Sequence, residues 1–309
     1  MTTSHILILG ASGIDTKGRA TGPILPGTPN PGDIRVSVGG VARNIAENLA
    51  RLGLPAVLLS AVGRDEAGRH VLFHTADSGV DMRHVLMSPD HPTGAYLAVL
   101  DERGTPLVSI ASMEAIEALT PRYIYDHRRC FRDASLLILD ANLTPAALRT
   151  AFKLARRYQL PVCADPTSAT LAERLIPYLP DLYLITPNPA EAAVLCGHPV
   201  EPRREDAIAA AKELVAKGVE IAVITLGELG ACYATSEVSG HVPAISCEVV
   251  DLTGAGDAMT AGIVFGLLEE LPVDEAVRLG VAAATLTLCT RETVCQDLSL
   301  ERLYDQLAV

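Results

Sequence analysis

Asp251-Leu252-Thr253-Gly254-Ala255-Gly256-Asp257, continuing as Ala258-Met259-Thr260-Ala261-Gly262-Ile263-Val264-Phe265-Gly266, is the stretch on which the reading of this chain depends. Small residues sit at a turn that opens an apolar segment of helical character. Glycine lets the main chain approach a ligand closely. The first amides of a helix lack internal partners, and the helix dipole adds partial positive charge there. Such a turn is a ready cradle for an anion. Asp257 stands directly behind it, where a carboxylate would repel a phosphate unless it had a task. Accepting the proton of an attacking hydroxyl is such a task. The competing reading makes Asp257 a first-turn acid that merely stabilises a helix start.

The chain has 309 residues, enough for one large α/β domain or two small ones. Hydrophobic residues make up 49%, but aromatics only 4% and Trp is absent, so the core must be built from Ala, Val, Leu and Ile. A net charge of −12 argues against a general nucleic-acid or anionic-membrane binder. The seven cysteines form no C-x-x-C pair and no zinc-like spacing, which predicts buried, reduced thiols. The start, MTTSHILILG, lacks the basic region and long apolar run of a signal peptide. No uncharged apolar run reaches membrane-spanning length. A cytoplasmic protein is the expectation.

His5–Leu9 reads as a buried strand ending at Gly10. Gly10-Ala11-Ser12-Gly13 hints at a dinucleotide turn, but Ile14-Asp15 leads into a Gly/Pro-rich segment (16–32) and not into a helix, so that fingerprint is rejected. Asp15 then stands at the end of the first strand, as a turn residue or as a ligand for a polar substrate. Thr28 to Gly32 is a turn, and Ile34–Val38 alternates like an edge strand. Gly39-Gly40 opens a helix over Val41–Leu52, with Val41, Ile45, Leu49 and Leu52 in one apolar stripe and with Arg43 and Asn44 in its first turn. Ala56–Val62 is a strand, followed by a helix to about Gly79. Thr93–Leu100 and Pro106–Ala111 alternate around Asp101-Glu102-Arg103-Gly104 as a hairpin, and with Ile34–Val38 they predict a small separate sheet.

From Ser135 the pattern is regular. Leu136–Leu139, Val162–Ala164, Leu182–Ile185 and Ile221–Ile224 read as strands ending at Asp140 (with Asn142 nearby), Asp165-Pro166, Thr186-Pro187-Asn188 and Thr225. Strands alternating with helices imply a parallel sheet with right-handed crossovers. The polar residues gather at the carboxyl ends of the strands, where open α/β sheets place ligands. Asn188-Pro189-Ala190-Glu191 has the form of a capping box, and equally of a pair facing phosphates and a metal-bound water. Thr225-Leu226-Gly227-Glu228-Leu229-Gly230 is either a tight turn between strands or a nucleotide contact. Near the end, the Ala-rich Glu275–Leu288 with Gly280 should pack against a helix over Ala258–Glu270.

Four of these turns together resemble one family. Gly39-Gly40-Val41-Ala42-Arg43-Asn44, the pair Asn188 and Glu191, the turn Thr225, Gly227 and Gly230, and Asp251 through Asp257 to Gly262 resemble the motifs of the ribokinase-like (PfkB) carbohydrate and nucleoside kinases, in that family's order. The stretch Asn30-Pro31-Gly32 with Gly39-Gly40-Val41 and Arg43 through Ala50 is similar to the pseudouridine kinase subgroup. The resemblance implies an α/β fold over residues 1–309: a three-layer α/β/α domain with a central, mostly parallel sheet and a small β-sheet lid from segments 12–38 and 92–113. It implies Mg·ATP-dependent phosphorylation of the 5′-hydroxyl of a ribosyl substrate, pseudouridine first, with a ribokinase or other nucleoside or sugar kinase as alternative and a non-catalytic binding protein as second alternative. Asp257 would be the base and Gly254, Ala255 and Gly256 the anion hole. Asp15, Gly40 and Asn44 would bind the ribose, with Arg43, Asn142 and Met113 as further substrate contacts. Asn188, Thr225, Gly227 and Gly230, with Gly254 and Gly256, would bind ATP. Glu191 would hold Mg²⁺ through water, and the carbonyls of Asp251 and Thr253 a monovalent cation such as K⁺. Leu252 departs from the Thr, Ser, Pro or Val usual at its position, which bears on the cation site. An exposed lid edge could pair with a second copy, so a homodimer is expected.

Overall fold

In His5–Leu9 (β1), successive side chains point to opposite faces, and the strand is apolar on both. Ile6 and Ile8 belong to one core cluster with Ile45, Leu49 and Val281, while Leu7 and Leu9 belong to another with Leu148 and Phe152. Such a strand must be covered on both sides. The computed structural model, which describes residues 4–102, 104 and 106–307, supplies that cover. The strands that follow β1 are β2 (Gly13–Ala20), β3 (Gly32–Gly39), β4 (Ala56–Gly63), β5 (Asp81–Ser88), β6 (Gly94–Leu100), β7 (Pro106–Ser112), β8 (Ala134–Asp140), β9 (Val162–Asp165), β10 (Leu184–Ile185), β11 (Ile221–Thr225), β12 (Ala231–Ala234) and β13 (Ser239–Val242).

Nine of these form one sheet, in the order β13-β12-β11-β10-β9-β8-β1-β4-β5. It is parallel from β5 through β11, and β12 and β13 add antiparallel at the far edge. Helices Val41–Arg51, Ala255–Leu268 and Val273–Leu288 cover one face, and Pro145–Tyr158, Pro189–Cys196 and Arg204–Ala216 cover the other. A second sheet of four strands, β3-β2-β6-β7, stands apart. The three-layer fold and the separate small sheet are therefore as the sequence implies.

Three local expectations change. Asp15 does not close the first strand: Gly13–Ala20 is itself a strand, at the heart of the second sheet between β3 and β6. Its polar alternation, Asp15, Lys17 and Arg19 on one face and Ile14 and Thr16 on the other, disguised it as loop. The half-buried edge strand β5 (DMRHVLMS) has no apolar period strong enough to announce it. Regular pairing in β10 begins at Leu184, two residues later than expected. Arg103 of the expected hairpin turn lies outside the described residues, as do residues 1–3 and 308–309.

The Ala255–Leu268 and Val273–Leu288 helices pack backbone to backbone. A Cβ on Gly262 would fall 2.8 Å from the Gly280 Cα and 2.8 Å from the Leu279 carbonyl oxygen. Gly262→Ala should therefore force the two helices apart. Overpacking of this kind costs about 1–3 kcal/mol, so the variant should melt several degrees lower, and an unchanged melting temperature would show that the helices have slack here.

Candidate active site

The helix Ala255–Leu268 starts at Gly254, whose backbone is left-handed (φ 82°, ψ −6°). A Cβ there would also lie 1.9 Å from the Thr293 carbonyl oxygen, so conformation and space both demand glycine. Gly256, by contrast, opens onto free space. The first amides of this helix have no intrahelical acceptor, and Ala255 and Gly256 line a cleft of about 1440 Å³. Thr253 N–H donates to Asp251 Oδ1 at 2.9 Å and holds the approach to the turn. Across the cleft, Lys17 Nζ donates to Asp251 Oδ2 at 2.7 Å, joining the second sheet to this loop.

Asp257 is 9% exposed. Its Oδ2 accepts a hydrogen bond from Asn44 Nδ2 at 2.7 Å. Burial pushes its carboxyl up to about 7; the Asn44 hydrogen bond and the Arg43 charge pull it down, while Asp15 and Asp140 push it further up. Asp15 is raised to about 6, again chiefly by burial, against the pull of Lys17 and Arg43. A carboxylate poised near neutrality directly behind the amides of Ala255 and Gly256, which line the cleft, is suited to accepting a proton. The two glycines before the Val41–Arg51 helix make this closeness feasible. A Cβ at Gly39 would fall 2.3 Å from Asp15 Oδ1, and one at Gly40 (φ 100°) would fall 2.6 Å from the Ala11 carbonyl oxygen.

Both halves of the capping box form: Glu191 N–H donates to Asn188 Oδ1 at 3.0 Å, and Asn188 N–H donates to Glu191 Oε2 at 2.9 Å. Burial raises the Glu191 carboxyl. As a hard oxygen donor in the first turn of the helix that follows β10, Glu191 fits Mg²⁺ or one of its waters. The Thr225 turn lies in the same cleft, with Gly227 (φ 56°) open to it. Gly230 (φ 88°) is fixed by packing, since a Cβ there would meet the Val242 carbonyl oxygen at 2.1 Å.

Three acidic or basic groups were not singled out from the sequence. Asp140 is fully buried, and its Oδ2 accepts the amides of Ala11 (2.8 Å) and Ala42 (3.1 Å). It pegs β8 to the end of β1 and to the glycine-opened helix. Asp165 is held well above the usual carboxylate range by burial, then by the charges of Asp257 and Glu191. Both had been noted only as strand ends. Lys17 lies in the Gly/Pro-rich segment 16–32, where the Asp15-x-Lys17-x-Arg19 alternation is the available signal.

Arg43 requires a correction. It is 1% exposed and spends its guanidinium on the protein. Nε donates to Thr75 Oγ1 (3.1 Å), Nη1 to the Val38 carbonyl (3.1 Å), Asn44 Oδ1 (2.7 Å) and Thr293 Oγ1 (3.2 Å), and Nη2 to Glu47 Oε2. A substrate finds no spare donor here. Asn142 and Met113 are not joined to the Asp257–Asn44 pair: the Asn142 amide turns toward Thr167 Oγ1 at 3.5 Å, and the Met113 sulfur lies where a Gly94 Cβ would meet it at 2.6 Å.

Comparison with known proteins bears on the family and the fold. The family described as pfkB family carbohydrate kinase matches residues 3–297. The pseudouridine kinase of Escherichia coli (strain K12) is 35% identical over 297 residues, covering 96% of this chain and 94% of that protein. The guanosine-inosine kinase of Exiguobacterium acetylicum is 32% identical over 291 residues, covering 94% and 96%. Among solved structures, Arabidopsis thaliana ribokinase complexed with ribose and ATP superposes with a TM-score of 0.87 over 99% of both chains, at 22% identity, a likeness of fold. By its sequence motifs, its fold and these matches, the chain belongs to the pfkB family of carbohydrate kinases.

Proposed function

We propose that the protein transfers the γ-phosphoryl group of Mg·ATP to the 5′-hydroxyl of a ribosyl nucleoside, with pseudouridine as the preferred acceptor. The observation that carries this reading is the Asn44–Asp257 hydrogen bond of 2.7 Å placed directly behind a glycine-opened helix start. Asp15, Gly40 and Asn44 hold the ribose so that its hydroxyl meets Asp257, which takes the proton. The amides of Gly254, Ala255 and Gly256 stabilise charge on the phosphoryl oxygens. Asn188, Thr225, Gly227 and Gly230 seat the nucleotide. Glu191 is the residue that would hold Mg²⁺ through water, and the ion would supply positive charge against the phosphates. The carbonyls of Asp251 and Thr253 are the candidate ligands of a monovalent cation such as K⁺. Lys17 and Arg19 give the cleft-facing side of the second sheet positive charge, and that sheet serves as a lid that excludes bulk water. The pseudouridine preference is supported by the identity with the Escherichia coli enzyme; the guanosine-inosine kinase relative favours the second reading, a broader nucleoside kinase.

The outer side of the lid sheet carries Ile34, Val36 and Ile110, which are 76%, 62% and 62% exposed and share one face by strand register. An apolar sheet face of this kind needs cover, and a second copy of the chain is the proposed cover. With seven free cysteines, five of them buried, and no helix among the described residues long and apolar enough to cross a membrane, the protein is proposed to work in the cytoplasm.

Three measurements test this. Asp257→Asn should lower kcat by at least about 10², the lower range for general-base catalysis, with ATP affinity by calorimetry kept within a few-fold. In the wild type, kcat should rise with pH through about 7 and then level off, because Asp257 must be ionised to accept a proton. The sign for stability is opposite. A carboxyl raised in the fold loses stability as pH climbs from its unfolded value through about 7. Asp257→Asn should therefore melt above wild type at pH 8, with the gain shrinking toward pH 4.

Second, phosphate transfer to pseudouridine, uridine, guanosine, adenosine and ribose should show the highest kcat/KM for pseudouridine. ATP turnover that no acceptor stimulates would favour a non-catalytic binding protein. Third, Ile110→Lys should convert a dimer to monomer in sedimentation velocity without unfolding it, and a monomeric wild type would remove the proposed pairing.

A further inference from the structure

Arg43 was expected to touch substrate and instead lies beneath the site, yet its partners converge on both halves of the proposed transfer centre. One arm runs through Asn44. The side-chain amide has an accepting end and a donating end. Nη1 of Arg43 donates to Oδ1 at 2.7 Å, which leaves Nδ2 to donate to Asp257 Oδ2, also at 2.7 Å. Turned over, the amide would set its NH₂ against a guanidinium and its oxygen against a carboxylate, which is unfavourable at both ends. The other arm runs through Thr293. Nη1 donates to Thr293 Oγ1 at 3.2 Å, that hydroxyl donates to the Val38 carbonyl at 2.6 Å, and the Thr293 carbonyl backs directly onto Gly254.

We propose that Arg43 is a positioning residue that sets the spacing between base and anion cradle, by fixing the Asn44 amide toward Asp257 and by holding Thr293 behind Gly254. This rests on the kinase reading above. The cation is kept in place by Glu47, whose Oε2 accepts from Arg43 and whose Oε1 accepts from Arg51 Nε and Nη2 at 2.9 and 2.6 Å, with His74 Nδ1 3.2 Å from Nη2 on the other side. The groups that face Asp257 are Asn44 and Arg43 from the glycine-opened helix, Asp15 from β2, Asp140 from β8 and Asp165 from β9. Of these, only Asn44 and Arg43 favour its ionised form, so Arg43 acts both by its charge and through the amide. A lysine in its place keeps the charge opposite Glu47, but one ammonium cannot serve Glu47, Asn44, Thr75 and Thr293 together.

The test follows the Asp257 carboxyl by ¹³C NMR in full-length protein labelled at aspartate, with the signal assigned by its loss in Asp257→Asn. This readout does not depend on turnover. In Arg43→Lys the midpoint should rise by about one pH unit, the scale on which a hydrogen bond to a carboxylate acts. In the wild-type assay at pH 7, where about half of Asp257 is ionised, kcat should then fall about fivefold while KM for ATP stays within threefold. Thr293→Val leaves every charge in place and cuts only the second arm; it should lower kcat with the Asp257 midpoint unmoved. A folded Arg43→Lys with wild-type midpoint and kcat would overturn the proposal. So would an Arg43→Lys that does not fold, together with a Thr293→Val of wild-type kcat. A shifted midpoint in a protein that phosphorylates no acceptor would uphold the positioning role and defeat the kinase reading.

Discussion

A carboxylate buried almost completely, 9% exposed, with three other acids in its field, is costly to ionise. The site is organised around that cost. The chain places one amide donor on Asp257, backs that amide with a guanidinium, and anchors the guanidinium on a glutamate that a second arginine also holds. Each group in this series corrects the electrostatic problem left by the one before it. The series ends at Arg51, which is partly exposed and can be hydrated. The result is a base of intermediate strength, held in place by one helix from its first turn to its last residue.

The backbone makes an equally firm demand. Gly39, Gly40 and Gly254 are each packed so that no side chain fits, by Asp15, by Ala11 and by Thr293 respectively. The glycines of the motifs therefore do two kinds of work. Gly256 and Gly227 leave space on the cleft side for a ligand, while Gly254 and Gly230 make room for the protein's own main chain. A motif written as a row of glycines conceals this division, and only the coordinates separate the two kinds.

Much of the fold could be read from period and punctuation. The buried strands β1, β4, β8, β9 and β11 and the capped helices at Thr144 and Asn188 follow from local rules, and they hold because the local preference and the tertiary environment agree. Strands β2 and β5 escaped because their alternation is polar or weak, and a strand facing a charged cleft carries no apolar stripe. Arg43 was misread for a related reason. A cation beside a glycine turn looks like an anion contact, and the acid that buries it, Glu47, is recognisable as its partner only once the helix places the two one turn apart. Asp140 and Asp165 had the right address, at the carboxyl ends of strands, but only packing shows that one is a structural peg and the other lies in the field of the site.

The Lys17–Asp251 ion pair joins positions 234 apart in the chain. In a protein made from its amino end, the strands of the second sheet are therefore synthesised long before the acid that Lys17 requires. Until then Lys17, on the face of β2 that also carries Asp15 and Arg19, lacks its acid. This bridge across the cleft thus becomes possible only late in synthesis, and a nascent chain that ends before Asp251 carries half a cleft with no capacity for chemistry.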